Sequence, residues 1–216
     1  MTWLKTRSNS WLYKFVNVMW GSFFALFYRH KVYGLENFIP GGAILAANHT
    51  SFFDPPMVST SCPEEIHFLA RKTLFRNPFF GYLIKKLNSH PVSGSGADAA
   101  TFRTVLKLLQ EGKKVLLFPE GQRTYGKIGE IRGGLGLLAT KSNQPIIPIY
   151  ISGTSKVLGR GKCFPKLWGK TSVTFAPPIH PKDYAHLEKK AAIDAISKDF
   201  EQTLRQMETD CTKNLH

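Results

Sequence analysis

A histidine and an aspartate stand five residues apart in Asn48-His49-Thr50-Ser51-Phe52-Phe53-Asp54-Pro55. On a regular helix that spacing points the two side chains in different directions, whereas a tight strand-to-helix turn brings them together. A carboxylate that accepts from one imidazole nitrogen fixes the tautomer and leaves the other nitrogen free to take a proton. This is half of a catalytic triad without a nucleophile of its own, so the nucleophile belongs to the substrate. A His–Asp pair in a turn is more often a satisfied polar pair with no chemistry. The second stretch that bears on the choice is Pro119-Glu120-Gly121-Gln122-Arg123-Thr124, which adds a carboxylate and a guanidinium in another loop.

Both stretches follow apolar runs. Ala43-Ile44-Leu45-Ala46-Ala47, bounded by Gly41-Gly42, reads as a buried strand. Pro55-Pro56 suits the first turn of a helix, and Asp54 is a good N-cap residue. Val115 to Phe118 is a second buried strand that runs directly into the Glu120 loop. Strands ending in polar, Gly/Pro-marked loops are how an open α/β sheet builds a site along its edge.

Further strands are expected at 32–39, 66–70, 145–151 and 171–176. Helices are expected from Asp54 to Ser61, from Asn77 through an apolar stripe to Leu87, from an Asp98 cap to Gly112, from about Ile131, and from Lys182 to Glu208. The glycines of 131–139 allow close approach of backbones. The alternation predicts a single α/β domain, 32–216, with a mixed sheet flanked by helices. His90 reads as a surface histidine in a loop.

The chain has 216 residues, and Lys and Arg outnumber acids 29 to 15 for a formal charge of +14. That favours an anionic partner, either a phospholipid surface or an acidic carrier protein. Nucleic acid is set aside, because zinc-finger spacing, RNA-binding aromatic signatures and long basic runs are all absent from the sequence. Cys62, Cys163 and Cys211 make no CxxC pair and suggest neither a metal site nor a disulfide framework, which fits reduced thiols in a cytoplasm-facing protein.

Residues 1–31 carry Lys5, Arg7, Lys14, Arg29 and Lys31 and no acid. The uncharged run Phe15 to Tyr28 spans only ~21 Å as a helix, short of a ~30 Å hydrocarbon core. Leu12, Phe15, Val16, Met19, Phe23 and Phe27 follow helical spacing, with Lys14, Asn17 and Gly21 on another face. The expectation is an N-terminal amphipathic helix, 1–31, lying in the membrane surface; a helix packed on the protein's own core is the alternative. The Gly/Lys-rich stretch 153–169, with Phe164, Leu167 and Trp168, reads as a second membrane contact.

Taken in this order and spacing, NHTSFFD and FPEGQRT resemble the NHxxxxD and FPEGTRS blocks of the glycerolipid acyltransferases, and the resemblance covers roughly residues 32–180. It implies transfer of an acyl group to lysophosphatidic acid at a membrane, with His49 as general base on the sn-2 hydroxyl and Asp54 orienting it. Thr50 and Ser51 then shape the turn, and backbone amides at the start of the next helix are expected to hold the oxyanion. Glu120, Gly121 and Arg123 are assigned to the acceptor's glycerol-phosphate, Glu120 either positioning Arg123 or accepting from a glycerol hydroxyl. Lys72 matches a family lysine beside the phosphate site. No cofactor or metal is implied. The co-substrate is an acyl-carrier protein or coenzyme A thioester, or an acyl phosphate, and the place of work is the cytoplasmic face of a membrane, peripheral or monotopic. Two residues depart from the family pattern: Gly94 stands where an arginine is expected, and Gln122 replaces a threonine. A different acceptor, a water-using hydrolase and a non-catalytic basic binding module remain competing readings.

Overall fold

In the computed structural model, which describes residues 10–92, 98–131 and 134–213, seven short strands share one sheet. They are β1 (Lys31–Tyr33), β2 (Ala43–Ala47), β3 (His67–Arg71), β4 (Ser89–Val92), β5 (Lys114–Leu117), β6 (Ile146–Ser152) and β7 (Ser172–Phe175). Seven α-helices accompany them: α1 (Trp11–Tyr28), α2 (Asp54–Ser61), α3 (Pro78–Lys86), α4 (Ala99–Gln110), α5 (Leu135–Ser142), α6 (Thr154–Leu158) and α7 (Lys189–Lys213). The spatial order is β1-β7-β6-β2-β5-β3-β4, and all neighbours run parallel except the antiparallel pair β6–β7. The expected mixed sheet is the one that forms.

Period-two alternation along the central strands divides the core in two. Ala43, Leu45, Ala47, Leu116, Ile147, Ile149 and Ile151 face one side, where they meet Met57 and Val58 of α2 and Phe24 and Tyr28 of α1. Ile44, Ala46, Val115, Ile146 and Tyr150 face the other, against α4, α5 and α7. Strands buried on both faces read as continuous apolar runs, which is why β2 and β6 were visible in the sequence. At Gly136 a Cβ would come within 2.2 Å of the Ile193 carbonyl oxygen, so α5 and α7 approach at backbone distance. The last helix starts later than expected, because Pro181–Tyr184 first makes a 3-10 turn.

The N-terminal helix differs from the expectation in its orientation. Its inward residues are Tyr13, Asn17, Gly21, Phe24 and Tyr28, so the face read as polar is the one packed on the protein. Small and hydrogen-bonding residues suit that place. Tyr13 Oη lies 2.9 Å from Ser59 Oγ and accepts from the Ile66 N–H at 3.0 Å, while Ser59 Oγ donates to Asn17 Oδ1 at 2.9 Å. α1 is therefore bonded into α2 rather than standing apart from the sheet domain. Its other face leaves Trp11, Phe15, Met19 and Leu26 exposed.

Two smaller expectations also change. The stripe on α3 points outward, with Phe79 87% exposed, and only Gly81 of that helix is buried. His90 sits in edge strand β4, where its Nε2 is 3.0 Å from His67 Nδ1. Among the described residues no helix is long and apolar enough to cross a membrane.

Candidate active site

Because β2, β5 and β3 run parallel, their C-terminal ends deliver His49, Phe118 and Arg71 to the same edge of the sheet. The turn after β2 is built almost wholly from side chains bonding to main chain. Asn48 continues the strand by proxy, its Oδ1 accepting from the Ile151 N–H at 2.7 Å and its Nδ2 donating to the Ile151 carbonyl at 3.0 Å. Thr50 Oγ1 lies 2.9 Å from Thr154 Oγ1. Ser51 Oγ donates to the Leu158 carbonyl at 2.7 Å and accepts from the Phe53 N–H at 3.0 Å. Both hydroxyls are committed, in keeping with their expected role in shaping the turn.

Within this turn His49 Nδ1 lies 2.8 Å from Asp54 Oδ2. The same oxygen accepts the N–H groups of Thr50 and Ser51 at 2.7 and 2.8 Å. Three donors on one oxygen fix the carboxylate, which is fully buried, and oblige Nδ1 to carry the proton. Asp54 thus acts backwards on its own turn and opens α2 as its first residue, with Phe53 at the N-cap. Its Oδ1 is buried and unpartnered among the described residues. The imidazole stacks on Phe118, centroids 4.0 Å apart and planes 19° off parallel. Its Nε2 has no protein partner among the described residues, and the side chain keeps 18% exposure. That edge is free to take a proton from a bound molecule.

Three of the main-chain amides in this turn are engaged within it. The N–H groups of Thr50 and Ser51 belong to Asp54 and that of Phe53 to Ser51 Oγ, so they have no donor capacity to spare.

Glu120 is 3% exposed and accepts the main-chain N–H of His49 at 2.7 Å through Oε1 and that of Gly129 at 2.8 Å through Oε2. Burial pushes its carboxyl up, against the pull of those two donors. It stands behind the histidine as a main-chain clamp. A Cβ at Gly129 would lie 2.8 Å from Glu120 Oε2, so glycine is what lets the loop close over the carboxylate. Thr124 N–H completes the clamp on the His49 carbonyl at 2.8 Å. Gly121, at φ 70°, closes the turn by donating its N–H to the Phe118 carbonyl at 2.9 Å.

Arg123 lies with its guanidinium 3.5 Å over the Phe52 ring. Burial, and then the charges of Arg160 and Arg71, hold it below its ordinary pKa, while Asp54 acts in the opposite sense. Lys72 is exposed on the turn after β3, and its charge is felt at Asp98. The structure therefore brings together His49, Asp54, Glu120 and Arg123, and it is Arg71, one residue before Lys72, whose charge reaches Arg123. Position 94 lies outside the described residues. Arg160 went unsingled in the sequence; its only signal is the pair of flanking glycines, Gly159 and Gly161.

The family profile described as Acyltransferase matches residues 29–152, more than half of the chain. The 1-acyl-sn-glycerol-3-phosphate acyltransferase of Bacillus subtilis is 32% identical over 181 residues, covering 82% of this chain and 87% of its own length. A chloroplastic 1-acyl-sn-glycerol-3-phosphate acyltransferase of Arabidopsis thaliana is 27% identical over 173 residues, 77% of this chain and 48% of the plant protein. The crystal structure of the 1-acyl-sn-glycerophosphate acyltransferase PlsC from Thermotoga maritima superimposes with a TM-score of 0.74 at 24% identity, over 91% of this chain and 79% of that one. That likeness extends the shared fold over nearly the whole chain. With a His–Asp pair held at the sheet edge and an arginine beside it, the chain belongs to the acyltransferase family.

Proposed function

We propose that this protein is a 1-acyl-sn-glycerol-3-phosphate acyltransferase, moving an acyl group to the sn-2 hydroxyl of lysophosphatidic acid and releasing phosphatidic acid. The observation that carries the reading is the His49–Asp54 pair, 2.8 Å apart, with Nε2 left open. Nε2 takes the proton of the attacking hydroxyl, which adds to the donor carbonyl. Asp54 stabilises the imidazolium, and the proton passes to the leaving group as the tetrahedral intermediate collapses. No acyl-enzyme is needed, because Ser51 and Thr50 are bound elsewhere. Arg123 receives the acceptor's phosphate. The donor is an acyl thioester of carrier protein or coenzyme A, or an acyl phosphate, all anionic, as suits a +14 chain. Work takes place on the cytoplasmic face of a membrane, which the exposed apolar residues of α1 and of the 164–168 segment touch.

The test is purified protein with lysophosphatidic acid and each donor in turn, the lipids read by mass spectrometry. Phosphatidic acid made with at least one donor is the expected result. Free fatty acid without an acceptor would mark a hydrolase. Product from glycerol 3-phosphate or a lysophospholipid, and none from lysophosphatidic acid, would move the acceptor.

A further inference from the structure

Two guanidinium groups from different loops lie close enough for the charge of Arg160 to be felt at Arg123. Arg160, in the loop after α6, donates from Nη1 to the main-chain oxygen of Arg123 at 2.8 Å. Its guanidinium carbon lies 4.9 Å from the centre of the Tyr125 ring, as that of Arg123 lies 3.5 Å over Phe52. Both arginines are partly buried. The ion pairs among the described residues are His49–Asp54, Lys107–Glu111, Lys114–Glu64 and Arg205–Glu201, so neither arginine has a carboxylate partner. Of the five N–H donors on Arg160, one is spent on the protein.

Like charges held together and partly desolvated oppose folding unless something of opposite charge joins them. Here the cluster is held by aromatic faces and a main-chain bond, neither of which neutralises charge. The forks are kept in place with N–H donors to spare, which is the arrangement that receives a planar or tetrahedral oxyanion.

We propose that Arg160 is the second arm of a phosphate clamp with Arg123, and that the pair selects a phosphate monoester over a diester headgroup. This rests on the phosphate-bearing acceptor proposed above. A monoester dianion presents three terminal oxygens and nearly two charges, enough for two forks. A phosphodiester offers two terminal oxygens and one charge, and its extra substituent occupies the space of the second fork. Arg160 thereby becomes a specificity-determining residue that separates lysophosphatidic acid from lysophospholipids with larger headgroups.

The experiment measures binding of sn-glycerol 3-phosphate, the soluble headgroup, to the full chain by calorimetry, alongside kinetics with lysophosphatidic acid and lysophosphatidylglycerol. R160Q is expected to weaken sn-glycerol 3-phosphate binding about tenfold or more. It should raise KM for lysophosphatidic acid with kcat changed much less, and narrow the preference for the monoester. R160K should recover part of the loss. The affinity of the wild type should fall as pH drops through ~6, where the dianion takes up a proton, and R160Q should flatten that fall. A residue that merely held the Arg123 loop would leave that pH slope and the monoester preference unchanged. Wild-type binding with no acylation of lysophosphatidic acid would sink the acceptor reading and leave the clamp standing. R160Q binding within twofold of wild type, equal losses on both acceptors, or no wild-type binding of sn-glycerol 3-phosphate would overturn the clamp.

Discussion

Glu120 accepts two main-chain N–H groups, one on each oxygen, at 2.7 and 2.8 Å. A glutamine offers one acceptor and one NH2, so Glu120→Gln must set an N–H against an N–H on one side. Leaving a buried donor unmet costs about 1–3 kcal/mol. The variant should melt several degrees lower and lose kcat, because the His49 main chain moves, while KM for the acceptor stays near wild type. A raised KM with unchanged melting would return Glu120 to the acceptor site. At His49 the expectation is simpler. His49→Ala should reduce turnover by about 10²–10⁴-fold with melting little changed, and Asp54→Asn should also be severe, since the amide cannot accept three donors on one oxygen and hold the tautomer. More than a tenth of wild-type turnover in His49→Ala would remove it from the chemistry. The His–Asp pair was legible because its spacing falls on a strand-to-helix turn. Glu120's task was not, since a partner 71 residues away that offers only a main-chain N–H leaves no trace in residue types.

Elements are joined by polar staples as much as by packing. His30, just beyond α1, meets Ser61 of α2 at 2.9 Å through Nε2 and Thr171, just before β7, at 3.2 Å through Nδ1. Burial lowers its pKa to about 4, so the folded protein holds it neutral. Between pH ~6.5 and ~4 the unfolded chain binds a proton there that the folded chain does not. Stability is therefore unaffected by His30 above pH ~6.5 and falls as pH is lowered from there towards 4. His67, also lowered to about 4 by burial and by His90, adds in the same direction. Thermal melts across pH 4–8 should show a plateau and then a decline, and His30→Gln should make that decline shallower. An equally steep decline in the variant would assign the acid sensitivity elsewhere. The orientation of α1 belongs to this scale too. A helix apolar nearly all round shows a stripe on any face one chooses, and only the partners of Tyr13 and Asn17, Ser59 above all, decide which side turns inward. The strands were easier, because β2 and β6 are buried on both faces and so appear as unbroken apolar runs.

At the scale of the molecule, one group of exposed apolar residues gathers around α1. Trp11, Phe15, Met19 and Leu26 lie on the outward face of α1, and Phe164, Leu167 and Trp168 are exposed in the segment that packs at its end, where Trp168 meets Phe27 at 5.4 Å. The same helix sits directly behind the site, since Trp20, Phe24 and Tyr28 contact Phe53 of the turn that carries Asp54. A surface that holds α1 therefore also holds the site at a set distance from the lipid. Lys14, Arg29, Lys162 and Lys166 accompany the patch, and each basic residue near an anionic surface contributes on the order of 1 kcal/mol. Deleting α1 would be a poor test, because Tyr13, Phe24 and Tyr28 are core and the chain would lose its fold. The triple change Phe15→Ser, Met19→Ser and Leu26→Ser touches only the outward face. It should leave melting within a few degrees of wild type, abolish most sedimentation with anionic vesicles, and cut activity on vesicle-borne substrate more than on short-chain substrate in detergent. High salt should weaken wild-type binding only in part, since screening reaches the charges and leaves the aromatic contribution intact. A folded triple variant that sediments fully would mean that some other face meets the membrane, and the outward stripe of α3, with Phe79 and Tyr82, would be the next surface to change.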